Sequence, residues 1–78
     1  MTIGDTLKQA RLNAGLTQKQ LGEKCGMADS AIRKYESGKI KPKIETLKKI
    51  AAALNVSVID LADFDTATEI LAEDINQI

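Results

Sequence analysis

Thr17-Gln18-Lys19-Gln20-Leu21-Gly22-Glu23-Lys24-Cys25-Gly26-Met27-Ala28-Asp29-Ser30-Ala31-Ile32-Arg33-Lys34-Tyr35-Glu36-Ser37 reads as two short helices joined by a tight turn at Gly26. Thr17 opens the first of them. With Gln20 three residues on, it makes a Thr-x-x-Gln capping box, in which hydroxyl and amide each take a backbone N–H that the helix start leaves over. Leu16, just before the cap, is placed to staple onto Leu21. The helix stops at Gly26, because glycine accepts the left-handed conformation past a helix end. The second helix, roughly Ala28 to Tyr35, turns Ala28, Ala31, Ile32 and Tyr35 inward by their spacing. Asp29, Ser30, Arg33, Lys34 and Ser37 face the other way. One side suits a core, and the other is a polar, basic surface.

The flanking segments continue the helical pattern. Thr2 and Asp5 form a cap pair for a first helix whose Ile3, Leu7 and Ala10 share a face, and Gly15 ends it. Ser37-Gly38 closes the third helix, and Lys39-Ile40-Lys41-Pro42-Lys43 is a basic loop. A fourth helix follows Pro42, a residue tolerated only at a helix start. Its buried stripe is Ile44, Leu47, Ile50, Ala51 and Leu54, and Asn55 is placed to end it. Ser57 and Asp60 cap a fifth helix with Leu61 and Phe64 inward. Thr66 and Glu69 suggest a sixth, on which Ala67, Ile70, Leu71, Ile75 and Ile78 fall on one stripe. No strand pattern and no internal repeat is seen, so the expected fold is all-α with short loops.

A chain of 78 residues is one small domain with a limited core. Cys25 is the single cysteine and there is no histidine, which removes an intrachain disulfide and the usual zinc ligand sets. No apolar run is long enough to span a membrane, and the N-terminus lacks the layout of a secretory signal, so a soluble cytoplasmic protein is expected. No metal or cofactor is expected. The formal net charge of zero conceals a division. All eleven Lys and Arg lie in residues 1–50 against five acids, and all six acids of residues 51–78 stand without a base. Such asymmetry points to a polyanion-binding surface, or to a solvated surface of uneven charge. An enzyme is not expected: no nucleophile has a base at useful spacing and no glycine loop cradles phosphate.

Leu16-Thr17-Gln18, Leu21, Gly26, Ile32, Tyr35-Glu36-Ser37-Gly38, Pro42, Leu47, Ile50-Ala51 and Leu54-Asn55-Val56-Ser57 resemble the phage-repressor/Cro-type helix-turn-helix family in order and spacing. The match covers about residues 3–64. The resemblance implies a compact five-helix, repressor-like DNA-binding domain over residues 1–64. Residues 65–78 are then a short amphipathic acidic sixth helix for dimerisation or linkage. It also implies sequence-specific binding of double-stranded DNA at a palindromic operator, usually as a homodimer and usually in transcriptional repression.

Site roles carry over by position. The resemblance places Thr17, Gln18 and Lys19 at phosphate, where free N–H groups of a helix start attract anions. It makes residues 28–36 the recognition helix in the major groove, with Ala28, Asp29, Ser30, Arg33 and Lys34 toward base edges. Arg33 suits the two acceptors of guanine. Asp29 accepts from cytosine N4, pairs with Arg33 four residues on, or simply favours the helix N-terminus. Ser37, Lys39, Lys41 and Lys43 form a second phosphate clamp. Arg11 and Glu36 match a structural pair tying the first helix to the end of the third, and Arg11 has donors left for phosphate.

Three positions depart from the family pattern. Gly22 stands for the usual alanine, at a cost of about 1 kcal/mol in a helix interior. Ala28 and Lys43 stand where capping hydroxyls are common. Dimer contacts are expected from Val58 and Ile59, or from the Ile70, Leu71, Ile75, Ile78 stripe, which could instead pack on its own domain. The competing function is an antitoxin or protein-interaction module of the same fold, whose acidic C-terminal segment docks on a protein partner.

Overall fold

In a computed structural model of the chain, which describes residues 2–62, five helices follow one another: α1 (Ile3–Asn13), α2 (Gln18–Cys25), α3 (Asp29–Glu36), α4 (Ile44–Leu54) and α5 (Val58–Leu61). No strand occurs among the described residues. Phe64 and the expected sixth helix, with Ile70, Leu71, Ile75 and Ile78, lie outside them.

The caps explain most of the boundaries. Thr2 Oγ1 accepts from the Asp5 amide at 3.2 Å while the Thr2 amide donates to Asp5 Oδ2 at 3.3 Å. Thr17 and Gln20 repeat this box at α2, at 3.0 and 2.9 Å. Gly26 ends α2 at φ 70°, ψ 33°. Asn55 ends α4 in the same left-handed region, at φ 58°. The expected Ser57–Asp60 cap is shifted by one residue. Ser57 Oγ accepts from the Ile59 amide at 3.3 Å, and the Asp60 amide bonds to the Ser57 carbonyl at 3.0 Å.

One inward assignment is corrected. Ala28 does not belong to the buried stripe of α3. It is the exposed residue ahead of the helix, with extended backbone at φ −71°, ψ 149°, because the first helical residue is Asp29. The stripe starts at Ala31. Neither Ala28 nor Lys43 supplies a side-chain cap.

Every helix contributes to the core: Ile3 and Leu7 from α1, Leu21 from α2, Ile32 from α3, Leu61 from α5, and Leu47, Ile50, Ala51 and Leu54 from α4. α4 is the central post, with Leu47 wholly shielded from solvent. Pro42 is buried just ahead of it. Ala10, Leu16, Cys25, Met27, Tyr35, Ala53 and Val58 close the edges of the core. α2 packs on α3 and α4, α1 on α3 and α5, and α4 on α5. The outer side of α3 is left uncovered by the other described elements, as Asp29, Ser30, Arg33 and Lys34 are all exposed.

Candidate nucleic-acid interface

Two backbone close approaches set how α3 is held. Gly4, in the first turn of α1, lies against the end of α3. A Cβ there would stand 2.5 Å from the Glu36 carbonyl oxygen and 2.7 Å from that of Tyr35. Gly22 plays the same part under the turn, where a Cβ would stand 2.6 Å from the Met27 carbonyl oxygen. The Met27 amide closes that turn by donating to the Gly22 carbonyl at 2.8 Å. The departure from alanine at Gly22 therefore has a steric reason in this chain.

Around the end of α3 lies a buried polar knot. Arg11 donates through Nε to Glu36 Oε2 at 2.7 Å and through Nη2 to Oε1 at 3.1 Å, while Nη1 donates to the Leu16 carbonyl at 2.8 Å. The two side chains are 8% and 4% exposed, so the pair sits out of water with its hydrogen bonds made. Gln18 Nε2 donates to Glu36 Oε1 at 3.1 Å. The side chain expected at phosphate thus has one of its two amide hydrogens committed to Glu36 and one left for an anion. This link joins the start of α2 to the end of α3.

The remaining candidates fall into two groups on this frame. Asp29, Ser30, Arg33 and Lys34 share the exposed side of α3, with Ala28 exposed at its start. Arg33 Nη2 lies 3.4 Å from Asp29 Oδ2, and the two side chains are 64% and 48% exposed. An open i,i+4 pair of this kind contributes only about 0.3–0.5 kcal/mol, so it orients Arg33 without binding it strongly. Thr17 and Lys19 are exposed at the start of α2, and Ser37, Lys39, Lys41 and Lys43 are exposed along the segment after α3. Thr17 Oγ1 is occupied by its cap, and Ser37 Oγ donates to the Lys34 carbonyl at 3.1 Å. Exposed polar and cationic side chains thus stand on α3, at the start of α2 and along the segment after α3.

The dimer candidates divide. Val58 is half-buried and packs on the core, whereas Ile59 is 42% exposed, close in sequence to the exposed Val56. Cys25 is half-buried, with Sγ 3.9 Å from the Lys49 carbonyl oxygen. Burial pushes its thiol pKa up, against a smaller opposing pull from Lys49. Among the described residues no group of three or more acids and cysteines is placed to hold a metal ion, and no helix is long and apolar enough to cross a membrane.

Sequence reasoning missed three features: Gly4, the Gln18–Glu36 bond, and Ile40, which is 49% exposed. A glycine inside the first turn of a capped helix was the available signal for Gly4. The other two depend on contacts between segments and had none.

Residues 7–61 match the family model described as helix-turn-helix. The N-terminal DNA-binding domain of SinR from Bacillus subtilis is 39% identical and superimposes with a TM-score of 0.72, covering 78% of this chain and 90% of that one. A SinR protein/SinI protein complex gives 35% identity and a TM-score of 0.74 over 95% of this chain and 78% of that one. The transcriptional regulator ImmR of Bacillus subtilis (strain 168) is 34% identical over 82 residues, covering 99% of this chain and 65% of that protein. The phage repressor RstR of Vibrio cholerae is 38% identical over 61 residues, covering 78% and 54%. The chain therefore spans about half to two thirds of the length of these curated relatives.

Proposed function

This chain belongs to the helix-turn-helix family, and we propose that it is a sequence-specific DNA-binding regulator of transcription, acting as a homodimer and a repressor in the cytoplasm. The observation that carries this reading is the exposed Ser30, Arg33, Lys34 row on a helix clamped from behind by Arg11, Glu36 and Gln18. A helix so held enters the major groove as a rigid body. Arg33 then meets the O6 and N7 acceptors of guanine, and Ser30 and Lys34 meet neighbouring edges. Thr17, Gln18 and Lys19 at the start of α2 grip phosphate on one side. Ser37, Lys39, Lys41 and Lys43 grip it on the other, and these contacts set register without reading sequence.

Ile59, helped by Val58, is the described part of the proposed dimer contact. Two copies related by a twofold axis place their recognition helices in successive major grooves roughly 34 Å apart, which calls for a palindromic operator. Selection of bound duplexes from a random pool, at several salt concentrations, tests the whole reading. A palindromic consensus with steep salt dependence is expected, and no enrichment at any salt would overturn it. Arg33→Ala is expected to cost about 1–3 kcal/mol of binding and to relax preference at one base pair. Lys41→Ala is expected to weaken all sequences alike. Unchanged affinity and preference in Arg33→Ala would show that the reading face is misplaced.

A second reading is favoured by one observation: one of the similar solved structures is a SinR–SinI protein complex. On that reading the acidic segment 65–78 of this chain docks a protein partner. Removing residues 65–78 would then abolish capture of that partner while leaving DNA selection intact.

A further inference from the structure

Ile40 is a large apolar side chain in an otherwise cationic loop, 49% exposed between Lys39 and Lys41. The Lys34 carbonyl accepts from the Lys39 amide at 3.0 Å and from the Ile40 amide at 3.4 Å, so the loop folds back on the end of α3. An open cleft of ≈ 150 Å³ lies there, lined by Ser30, Ala31, Lys34, Tyr35 and Ile40. Ala31, Tyr35 and Ile40 give it apolar surface. Lys34 lines it, Lys39 and Lys41 flank Ile40 in sequence, and all three lysines are exposed. Phosphates call only for the cations. A surface that joins cations to apolar carbon fits a ligand that joins carboxylates to apolar side chains. The chain carries such a segment itself. Residues 63–78, outside the described ones, contain Asp63, Asp65, Glu69, Glu73 and Asp74, no base, and the apolar Ile70, Leu71, Ile75 and Ile78.

We propose that Glu73-Asp74-Ile75 docks on this cleft of its own chain and competes with DNA for α3. Ile75 packs against Ile40 and Tyr35, and the two carboxylates meet Lys34 and the loop lysines. The competition rests on the DNA-binding reading above, whereas the docking does not. In extended form the stretch from Ala62 to Ile75 spans up to about 43 Å. That is enough to pass halfway round a domain roughly 27 Å across. Tethering supplies an effective concentration on the order of 1 mM. A contact with a Kd of about 0.1 mM then leaves about one molecule in ten open, which weakens apparent DNA affinity about tenfold. Ile59, also exposed, suits this segment less, because the exposed Asp60 beside it repels carboxylates. Salt screens the docking as it screens DNA binding. Closure therefore makes the salt dependence of DNA binding shallower than that of a chain held open.

The test uses the 78-residue chain throughout, with Ile40→Ser, Ile75→Ser and the double variant, thermal melting checking that each folds. Docking is read first, without DNA. Tyr35 is the single tyrosine and there is no tryptophan, so its emission reports on the cleft. Quenching of Tyr35 by acrylamide, a neutral probe, should rise about twofold between low and high salt in wild type. In Ile75→Ser it should be high at every salt. The shielding should not depend on protein concentration, and shielding that grows with concentration would assign the contact to a second copy and overturn the inference. Binding to the selected duplex is read next. At low salt each single variant should bind about tenfold tighter than wild type, with a steeper slope of log Kd against log salt, and the double variant should gain nothing more. Plain repulsion between the acids and DNA predicts no gain from removing either isoleucine, and a dimer contact through Ile75 predicts a loss. Either result, or gains that simply add, overturns the inference. A chain that shields Tyr35 through Ile75 but selects no duplex brings down the DNA-binding reading and the competition while the docking stands. A chain that selects a duplex with Tyr35 equally open at all salts brings down this inference alone.

Discussion

Glu36 collects more of this protein's behaviour than any other side chain. Its two oxygens accept from Arg11 twice and from Gln18 once, in a site where the carboxylate is 4% exposed. A buried pair of this kind is weak evidence for net stability, but removing one partner strands the other's charge, at about 3–5 kcal/mol. Arg11→Met or Glu36→Gln should therefore cost about that much in urea unfolding, while Arg11→Met combined with Glu36→Leu should recover a large part. If the single variants lose under 1 kcal/mol, on the order of an exposed pair, the knot is not holding α3. Gln18→Ala is milder, because it removes one neutral donor to a carboxylate that Arg11 still satisfies. The motif made Arg11 and Glu36 legible as a pair. Gln18 read as a phosphate contact because its position after the Thr17 cap was visible, while its reach to α3 was not.

α3 depends on its neighbours more than on its own ends. Ala28 and Lys43 give no cap to α3 and α4, whereas Thr2 and Thr17 give complete boxes to α1 and α2. Ala28→Ser is therefore expected to stabilise the protein by about 0.5–2 kcal/mol by supplying the missing oxygen, as read from the shift in urea midpoint at constant slope. Gly4→Ala works in the opposite sense. The added carbon meets backbone oxygens of Tyr35 and Glu36, which cannot rotate away, so α1 and α3 must separate. A loss of about 1–3 kcal/mol is expected despite alanine's better helix propensity. An unchanged midpoint would show that the two helices yield easily. The α1 cap also carries a pH dependence. The Thr2 amide, and secondarily its hydroxyl, hold the Asp5 carboxyl below its ordinary pKa. The folded protein thus binds this proton less readily than the unfolded chain. The cap's contribution is present above the unfolded value, near pH 4, and is lost as pH falls through the lower folded value. Asp5→Asn should flatten the acid limb of the stability profile.

In the assembled molecule, α4 is the central element of the core, and α2 and α5 pack on it. It supplies four of the nine buried apolar core residues, so Leu47→Ala should cost about 2–5 kcal/mol and unfold α2 and α3 together with the rest in one transition. Among the described residues, Arg33, Lys34, Lys39, Lys41 and Lys43 are all exposed on α3 and the segment after it. Binding is accordingly expected to be steered electrostatically and to weaken steeply with salt. Cys25 belongs to this level too. Its thiol is raised by burial against the core, so the folded protein keeps the proton longer than the unfolded chain. Its contribution to stability is intact below the unfolded thiol's pKa and lost as pH rises through the higher folded one. Alkylation of Cys25 at neutral pH should be slower than that of an unfolded control.

Caps, glycine stops and spacing of three and four are short-range matters, settled by steric and hydrogen-bond rules within a few residues. They were enough to place all five helices, the inward roles of Ile32 and Leu47 and the outward ones of Arg33 and Lys34, from the chain read in order. Gly4 beneath Glu36, the bond from Gln18 to Glu36, the exclusion of Ala28 from the packed side and the setting of Ile40 against Lys34 all join atoms that neither periodicity nor propensity relates. They arise only when the helices pack, because close-packed interiors assign each side chain a neighbour by shape and depth.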